Sequence, residues 1–451
     1  MGIKFYKVFM RSLTSLVLLS MMAVLITSCG TSKKTKKQPQ IVKADDEKDK
    51  DVPAKTDTVG VVTPDKKDDG DKKDPDQTKP YNSDKTYNVA LLLPLDAESG
   101  RIDNNSNLRF IQYYGGIKLA GKDLNTDGAI INVSVFDSKE LLNTNMFPTH
   151  LDLIIGPYAS ASSESSKAEL QKIIEFGKKN KIMVVSPWYS NSKATENNEY
   201  YIQIKPNIRE HFNKIVQNIY DEGNQSKVVL VGRNNNNDYK YLEYFQSVAK
   251  AYSKGKSKDQ PLDQILINEK SLFNDDTVFT SKIQQGKSIF VFPNYSYNDE
   301  EYLRSVLTKL VGEKGSKNVT AVGLPIILES EKIGYNLYQG LNMELVVPDF
   351  IEKDDHRVRQ FTKSYYELYR TIPASDAFEA YDLFSFIGEA LSKYGRDFIK
   401  KIHYMGDYYL QTSFDIKPVY EEGDDSFSKV QFYENKHLDI IRFRNGAFER
   451  I

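Results

Sequence analysis

A cluster of serines follows the Gly156–Pro157 turn, and these residues are of a type and spacing that could bind a ligand. Ser160, Ser162 and Ser163 stand where a helix should begin, directly after the apolar run Leu151–Ile155. A helix start offers backbone N–H groups without partners in the helix, and serine hydroxyls add further donors. The pattern predicts a site for an anionic or carbonyl group of a small ligand. The alternative interpretation is that the serines only cap the helix.

The elements on either side of these serines must position them. Leu151–Ile155 is short and rich in leucine and isoleucine, which is typical of a strand buried on both faces. The helix that follows has one apolar stripe at helical spacing, formed by Leu170, Ile173, Ile174 and Gly177. The sequence therefore predicts a strand, a tight turn and a helix that begins with serines.

The same unit recurs along the chain. Further apolar runs predict strands at Val89–Leu95, Ile131–Asp137, Ile182–Val185, Lys227–Val231, Ile289–Pro293, Thr320–Ile327 and Glu344–Val347. Helical patterns separate them, and another helix is predicted over Phe378–Leu391. This alternation predicts an α/β fold with doubly wound parallel sheets. The alternating strands and helices fall into two sets of comparable size, which predicts two lobes with a cleft between them. Doubly wound parallel sheets bind ligands beyond the carboxyl ends of their strands.

Composition narrows the possible functions. Lys and Arg number 61 against 62 Asp and Glu, so the chain has no overall basic character for binding nucleic acid. Cys29 is the only cysteine, which excludes a disulfide within the chain and a cysteine-based metal site. The five histidines are scattered, and no catalytic motif is visible. We therefore expect no metal, no cofactor and no enzymatic activity.

The N-terminus is typical of a secretory signal. Basic residues precede an apolar run over Leu13–Ile26, which is shorter than the roughly 20 residues needed to span a bilayer. The small residues before Cys29 resemble the lipobox of bacterial lipoproteins. That resemblance implies cleavage after residue 28 and acylation of Cys29, with palmitate as the expected acyl group. Residues 29–86 are then predicted to be a disordered tether, because Thr31–Thr86 holds 14 Lys and 13 Asp or Glu but no Leu or Phe.

The folded part, residues 87–451, resembles the type I periplasmic binding proteins, the fold of branched-chain amino-acid receptors. The matching segments, in the family's order, are VALLLPL, KDLNTDGAIINVSVFD, LIIGPYAS, IMVVSPWYS, KVVLVGR and FEAYDLFSFIGEAL. The resemblance implies two discontinuous lobes joined by several crossovers. The first lobe is expected to cover about 87–205 and 350–400, and the second about 206–349 and 401–451. The lipobox and ALLLPL also resemble the lipoprotein activators of penicillin-binding proteins, which use this fold without transport.

The resemblance implies particular ligand contacts. The family's ligand-binding serine turn after the third strand corresponds to Ser160 in this chain, with Ser162 beside it. The family's ligand-binding loop after the fourth strand corresponds to Trp188 and Ser190. A tyrosine from the second lobe falls on Tyr239. Amino-acid receptors have a small residue where this chain has Trp188, which either stacks on a ring or sugar of the ligand or packs in the core. They also have an acid where this chain has Leu324–Pro325, and the nearest acid is Glu329.

Together these patterns predict a membrane-tethered periplasmic lipoprotein that closes on a small-molecule ligand, like the substrate-binding proteins of amino-acid ABC transporters. Its partners would be that ligand, the membrane and an ABC permease. The basic residues after Cys29 predict retention in the outer membrane, facing the periplasm, by the sorting rule of Gram-negative lipoproteins. The alternative is a non-transport lipoprotein that regulates a cell-wall synthase. An open cleft favours the ligand, and a cleft plugged by Trp188 favours the regulatory partner.

Overall fold

The computed structural model describes residues 85–97, 105–124, 128–138, 144–160, 162–191, 193–221, 226–253, 262–274, 277–421 and 429–451. All of them belong to one unit of the structure, Thr56–Ile451. The predicted signal peptide, Cys29 and all but the last two residues of the predicted tether lie outside the described residues.

The first lobe is built on a seven-stranded sheet in the order β11-β12-β5-β4-β3-β1-β2. Its strands are β1 (Thr86–Leu93), β2 (Ile130–Asp137), β3 (Leu153–Ile155), β4 (Met183–Ser186), β5 (Tyr201–Gln203), β11 (Ile416–Tyr420) and β12 (Val430–Asn435). All neighbours are parallel except β11 and β12, which form an antiparallel pair. The predicted strand at the serine turn is confirmed, and it lies inside the sheet between β1 and β4.

The second lobe repeats this plan with the sheet order β14-β13-β10-β9-β8-β6-β7. Its strands are β6 (Lys227–Arg233), β7 (Asp263–Ile267), β8 (Ser288–Val291), β9 (Val319–Gly323), β10 (Glu344–Val347), β13 (Asp439–Arg444) and β14 (Ala447–Arg450). The pairs β10–β13 and β13–β14 are antiparallel and the others are parallel. Two lobes of the α/β class, each with a mainly parallel sheet, are therefore confirmed.

Helices cover both sheets. They are α1 (Asn105–Asp123), α2 (Glu164–Asn180), α3 (Ile208–Asp221), α4 (Asn236–Ser253), α5 (Glu300–Lys314), α6 (Ile326–Glu329), α7 (Tyr335–Gly340), α8 (His356–Tyr369) and α9 (Ser375–Tyr394). The predicted strand over Thr320–Ile327 is too long, because β9 ends at Gly323 and the apolar residues beyond Pro325 form the first turn of α6. Among the described residues, no helix is long and apolar enough to cross a membrane.

Both faces of the central strands are buried, as their continuous apolar sequences predict. In β1, Val89 and Leu91 pack into one cluster with α1 and α9, while Ala90 and Leu92 pack into another with α2. The helices α1 and α9 approach closely at Gly116, where a Cβ atom would stand 2.2 Å from the backbone oxygen of Ala377. This contact packs the first turn of α9 against the middle of α1.

The described chain passes between the two sheets after β5, after β10 and after β12. The first two passages lie near Lys205 and Phe350, where the sequence predicts them. The predicted passage near Lys401 is wrong. β12 pairs in parallel with β5, through Tyr433–Ile202 and Glu434–Gln203, so β11 and β12 complete the first sheet.

The third passage lies instead between Asn435 and Asp439. β13 then pairs antiparallel with β10, so residues 439–444 add to the second sheet. The first lobe consequently continues to about residue 435, rather than to 400. Of the last four strands, only β13 and β14 belong to the second lobe. Short strands joined by turns carry no helix between them, so their sequence pattern does not indicate which of two sheets they join.

Candidate functional site: the cleft between the lobes

The carboxyl ends of strands from both sheets meet at one cleft with a volume of about 780 Å³. The first lobe contributes the loops after β3, β4 and β5, and the second lobe contributes those after β8, β9 and β10. The first turns of α1 and α9 and the segment around Gln411 complete the walls. This is the position at which parallel α/β sheets bind ligands.

The turn after β3 requires its glycine. Gly156 has a φ of +97°, and a Cβ atom there would lie 2.5 Å from the backbone oxygen of Leu92. The helix α2 then begins at Glu164, and its N-cap is Ser163, whose Oγ accepts a hydrogen bond from the Ser166 N–H at 3.3 Å. The capping interpretation is thus confirmed for Ser163.

Ser160 has a different position from Ser163, since it lines the cleft. Its backbone N–H donates to Ser166 Oγ at 3.1 Å, so that donor is already used. Its own Oγ lies 2.9 Å from Ser162 Oγ and accepts from the Ser162 N–H at 3.3 Å. The Ser160 hydroxyl keeps hydrogen-bonding capacity at the cleft wall, because a hydroxyl has one donor and two acceptor positions.

The structure brings Ser160 and Trp188 together in the cleft, but it places the other predicted ligand contacts away from the cleft lining. Ser162 is exposed beside Ser160. Ser190 donates its hydroxyl to the Pro206 carbonyl at 2.9 Å, which ties the β4 loop to the start of the second lobe. Tyr239, in the first turn of α4, donates to Asn234 Oδ1 at 3.0 Å in the loop just before that helix. Their side chains are engaged locally instead of converging on one ligand position.

Trp188 stands on the first-lobe wall of the cleft and leaves the cleft open. Its ring packs edge-on against Phe110 and Tyr158, at centroid distances of 5.6 and 5.8 Å, and tilted against Tyr113 at 4.8 Å. Its indole Nε1 is buried and has no hydrogen-bond partner among the described residues. The packing interpretation is supported, because the ring packs against the core in an aromatic cluster. The ring also forms part of the cleft surface, and stacking on a ligand stays a prediction.

Arg109 on α1 is held at the cleft by an acid on α9. Its guanidinium donates to Asp376 Oδ1 from Nε at 3.0 Å and from Nη2 at 2.7 Å. The same group lies over the rings of Phe110 and Tyr158, 5.2 and 5.6 Å from their centroids. The guanidinium is therefore fixed by an ion pair and by aromatic faces on the first lobe.

Lys205, at the first passage between the lobes, joins two further acids. Its Nζ is 2.9 Å from Asp349 Oδ2 and 3.6 Å from Glu379 Oε2. Burial by itself lowers the pKa of Lys205, but the two carboxylates more than reverse this and hold the pKa above its ordinary value. Burial raises the pKa of Glu379 to about 7, while Lys205 opposes the change and Asp349 adds to it. Lys205 is therefore charged at neutral pH, and Glu379 is close to its titration point.

Gln411 closes the inner end of the cleft, and its backbone is firmly held. Its N–H donates to Asp382 Oδ2 at 2.9 Å, and its carbonyl accepts from the Phe350 N–H at 2.8 Å and from the Tyr408 hydroxyl at 2.7 Å. Asp382 is fully buried on α9, and burial raises its pKa to about 7. The framework thus fixes where the Gln411 side chain enters the cleft.

The second-lobe wall is formed by Tyr297, Pro325, Leu328 and Glu329. The Tyr297 hydroxyl donates to Glu329, and this hydrogen bond raises the pKa of Tyr297 to about 12. Arg109 on the opposite wall is close enough to lower that pKa, so the two walls interact electrostatically across the cleft. Tyr297 is 72% exposed and Leu328 is 37% exposed. These apolar surfaces face the cleft and would lose water if the lobes closed.

Several cleft residues were missed by the sequence analysis, namely Arg109, Lys205, Asp349, Asp376, Glu379 and Gln411. One signal was available for the acids. Asp376, Glu379 and Asp382 follow each other at intervals of three on α9, a helix whose other residues are mainly apolar. Acids along one stripe of a buried helix are uncommon unless they are paired or functional. In the described part of the chain, no group of three or more His, Cys, Asp or Glu residues is arranged to hold a metal ion.

A scan against protein-family models gave no match. A search of curated proteins gave no match either. Solved structures are similar to the chain. One is described as a branched-chain amino acid ABC transporter protein from Rhodospirillum rubrum, with a TM-score of 0.57 and 12% identity, covering 81% of this chain and 100% of its own.

A second similar structure is a branched-chain amino acid ABC transporter periplasmic ligand-binding protein from Burkholderia xenovorans LB400. It has a TM-score of 0.51 and 12% identity, and the match covers 81% of this chain and 94% of that protein. Full-length LpoA from Haemophilus influenzae has a TM-score of 0.48 and 10% identity, with 81% of this chain and 59% of LpoA covered.

Two α/β lobes around a cleft at the carboxyl ends of their strands define the architecture of a two-lobed binding protein. More particularly, the chain has the type I periplasmic-binding-protein fold, as its resemblance predicts.

Proposed function

We propose that this protein is a solute-binding lipoprotein of the cell envelope, which closes its two lobes on a small organic ligand. The observation that carries the proposal is the cleft, which has a volume of about 780 Å³ and is walled by charged, aromatic and hydroxyl groups from both lobes. Pockets of this size, with a few convergent polar groups, are the usual sites of small ligands. The descriptions of the Rhodospirillum and Burkholderia proteins, which both concern branched-chain amino acid transport, support a small solute as the ligand.

The position of Trp188 favours a ligand over the alternative of a regulatory lipoprotein with a plugged cleft. Trp188 lies against Phe110, Tyr113 and Tyr158 on one wall, and the cleft remains open beside it. A solute would therefore find the cleft accessible, and an ABC permease would be the partner that receives the solute.

A thermal-shift screen of small solutes tests this function on the full-length chain in detergent. A solute present at 100 times its Kd should stabilise the folded chain by about 2.7 kcal/mol. The stabilisation should shrink in a Trp188→Phe variant, because that variant changes the cleft wall and little else on the surface. Failure of amino acids, amines, carboxylates and sugars alike to change the melting temperature would contradict the proposal.

The proposed membrane anchor rests on Cys29 at the end of the predicted signal. In cells fed labelled palmitate, the wild-type chain should carry label and fractionate with the outer membrane. Cys29→Ser should remove the label and release the protein from the membrane. A Cys29→Ser protein that still carries lipid would show that the anchor is elsewhere, and protease accessibility on intact cells would test whether the protein faces the periplasm.

A further inference from the structure

Two hydrogen-bond acceptors in the cleft are buried without a donor. They are Oε1 of Gln411 and Oε1 of Glu379, and neither has a hydrogen-bond partner among the described residues. Gln411 is only 2% exposed, and the side chain of Glu379 is 15% exposed. Buried acceptors are almost always satisfied in folded proteins, so each such atom calls for an explanation. Both residues line the cleft, so a donor from a ligand would explain both atoms.

The two residues also share a small recess at the inner end of the cleft. It has a volume of about 20 Å³, and it adjoins the cleft, since Lys205, Pro348 and Asp349 line both spaces. A space for one water-sized group needs about 10–15 Å³ on this measure, and a protonated primary amino group has that size. The recess therefore fits one such group, or one water molecule, beside Glu379 and Gln411.

The charges around the cleft favour a cation. Its lining includes two basic residues and four acidic ones, a formal excess of two negative charges when all are ionised: Arg109, Lys205, Glu329, Asp349, Asp376 and Glu379. Each basic group is already paired, Arg109 with Asp376 at 2.7 Å and Lys205 with Asp349 at 2.9 Å. A positively charged ligand would balance the excess, whereas a carboxylate would add to it.

The aromatic wall is suited to the rest of such a ligand. Tyr158 and Trp188 form part of the cleft surface. Aromatic faces attract cations and also cover methylene groups. An amine with an alkyl chain would thus find an acid at one end of the cleft and aromatic surface along its length.

We propose that the ligand is a small organic amine of net positive charge, whose protonated amino group binds between Glu379 and Gln411 in the recess. This inference rests on the proposed function, because it specifies the class of solute that the same cleft takes. The amino group donates one N–H to Glu379 Oε1 and another to Gln411 Oε1, and its charge balances the acidic excess of the cleft.

A matched series of solutes tests the proposal on the full-length chain in detergent. The probes are 1,4-diaminobutane, 4-aminobutanoate and succinate, which have the same chain length and carry two, one and no amino groups. Trp188 is the only tryptophan and lines the cleft, so its fluorescence reports on binding there. We expect a saturable change with the diamine at a Kd at least tenfold below that of the aminobutanoate, and none with succinate.

Variants then assign the site. Glu379→Gln should weaken diamine binding by about tenfold to a hundredfold, since the neutral amide keeps an oxygen acceptor but removes the negative charge that pairs with the ammonium. Gln411→Met, which removes the amide oxygen at nearly constant volume, should weaken it by about twofold to tenfold. The control is Glu367→Gln on α8, which changes an exposed acid paired with Lys363, and neither of these residues lines the cleft. It should leave diamine binding unchanged.

The results separate this inference from the proposed function. Equal or tighter binding of 4-aminobutanoate or succinate, or an unchanged diamine Kd in a folded Glu379→Gln variant, would overturn the inference and leave a solute-binding cleft in place. A diamine that produces no fluorescence change at 10 mM would also overturn it, with a water molecule then filling the recess. The proposed function itself fails only if no solute of any charge stabilises the chain.

Discussion

Glu434 lies at the third passage between the lobes, and its removal should destabilise the protein strongly. The residue is fully buried at the end of β12. Its carboxylate accepts from the Asn207 N–H at 2.7 Å, from Asn207 Nδ2 at 3.0 Å and from Gln203 Nε2 at 3.2 Å, and it also binds the ammonium of Lys436. Asn207 belongs to the first passage, so this one carboxylate ties two of the passages together.

The size of the effect follows from what Glu434→Ala leaves behind. Lys436 keeps Glu210 at 2.8 Å, but the Asn207 N–H loses its acceptor and remains buried, and Lys436 loses its nearest acid. Removal of one partner from a buried ion pair costs about 3–5 kcal/mol. With a urea dependence of about 3 kcal/mol/M, the unfolding midpoint should fall by about 1–1.7 M.

Urea unfolding followed by far-UV circular dichroism and by Trp188 fluorescence measures this change. The matched control is Glu449→Ala, which removes an acid 3.4 Å from Arg444 in an exposed pair whose acid side chain is 45% exposed. Exposed pairs contribute about 0.2–1 kcal/mol, so the control should barely move the midpoint. If the two variants shifted the midpoint equally, Glu434 would not stabilise the passages as described.

Three further predictions concern the cleft and its turn. The pKa of Glu379 is about 7 in the folded chain, against an ordinary value of 4.5. Protonation of Glu379 therefore stabilises the folded chain. This contribution to the free energy of unfolding is fully present below pH 4.5 and is lost as the pH rises through 7. Wild type should therefore lose up to about 3 kcal/mol more than Glu379→Gln between pH 4.5 and pH 8 in urea titrations, and parallel losses would contradict the assignment. Ser163→Ala should cost about 1 kcal/mol of unfolding free energy and leave solute affinity unchanged, because Ser163 is the N-cap of α2. Ser160→Ala should instead lower solute affinity with little change in melting, and the opposite pattern for these two serines would remove Ser160 from the site.

The sequence predicted the architecture well, because long apolar runs alternating with helical patterns leave few alternatives. The buried strand before the serine turn and the strand Glu344–Val347 both lie inside their sheets. The last four strands were assigned incorrectly in part, since β12 joins β5 by a pairing between residues more than 230 positions apart. Such a pairing depends on the tertiary structure, and no local pattern specifies it.

The cleft was harder to predict than the fold. Ser160 and Trp188 follow buried strands directly, so their place at the carboxyl ends could be inferred from order alone. Glu379 and Gln411 reach the cleft from a helix and a loop far along the chain, after two passages between the lobes. Their convergence depends on the packing of α9 against α1 and on the loop that Asp382 holds, and neither is visible as a motif.

The central claim is that the two lobes close on a solute, and a distance measured across the cleft tests it most directly. Leu108 is 43% exposed next to Arg109 on one wall, and Asn298 is exposed next to Tyr297 on the other. Because Cys29 is the only cysteine, spin labels on Leu108→Cys and Asn298→Cys in a Cys29→Ser background report a single distance. With the solute that raises the melting temperature most, the distance distribution by pulsed electron paramagnetic resonance should shift to shorter values and narrow. A distribution that stays the same at saturating solute would contradict closure of the cleft.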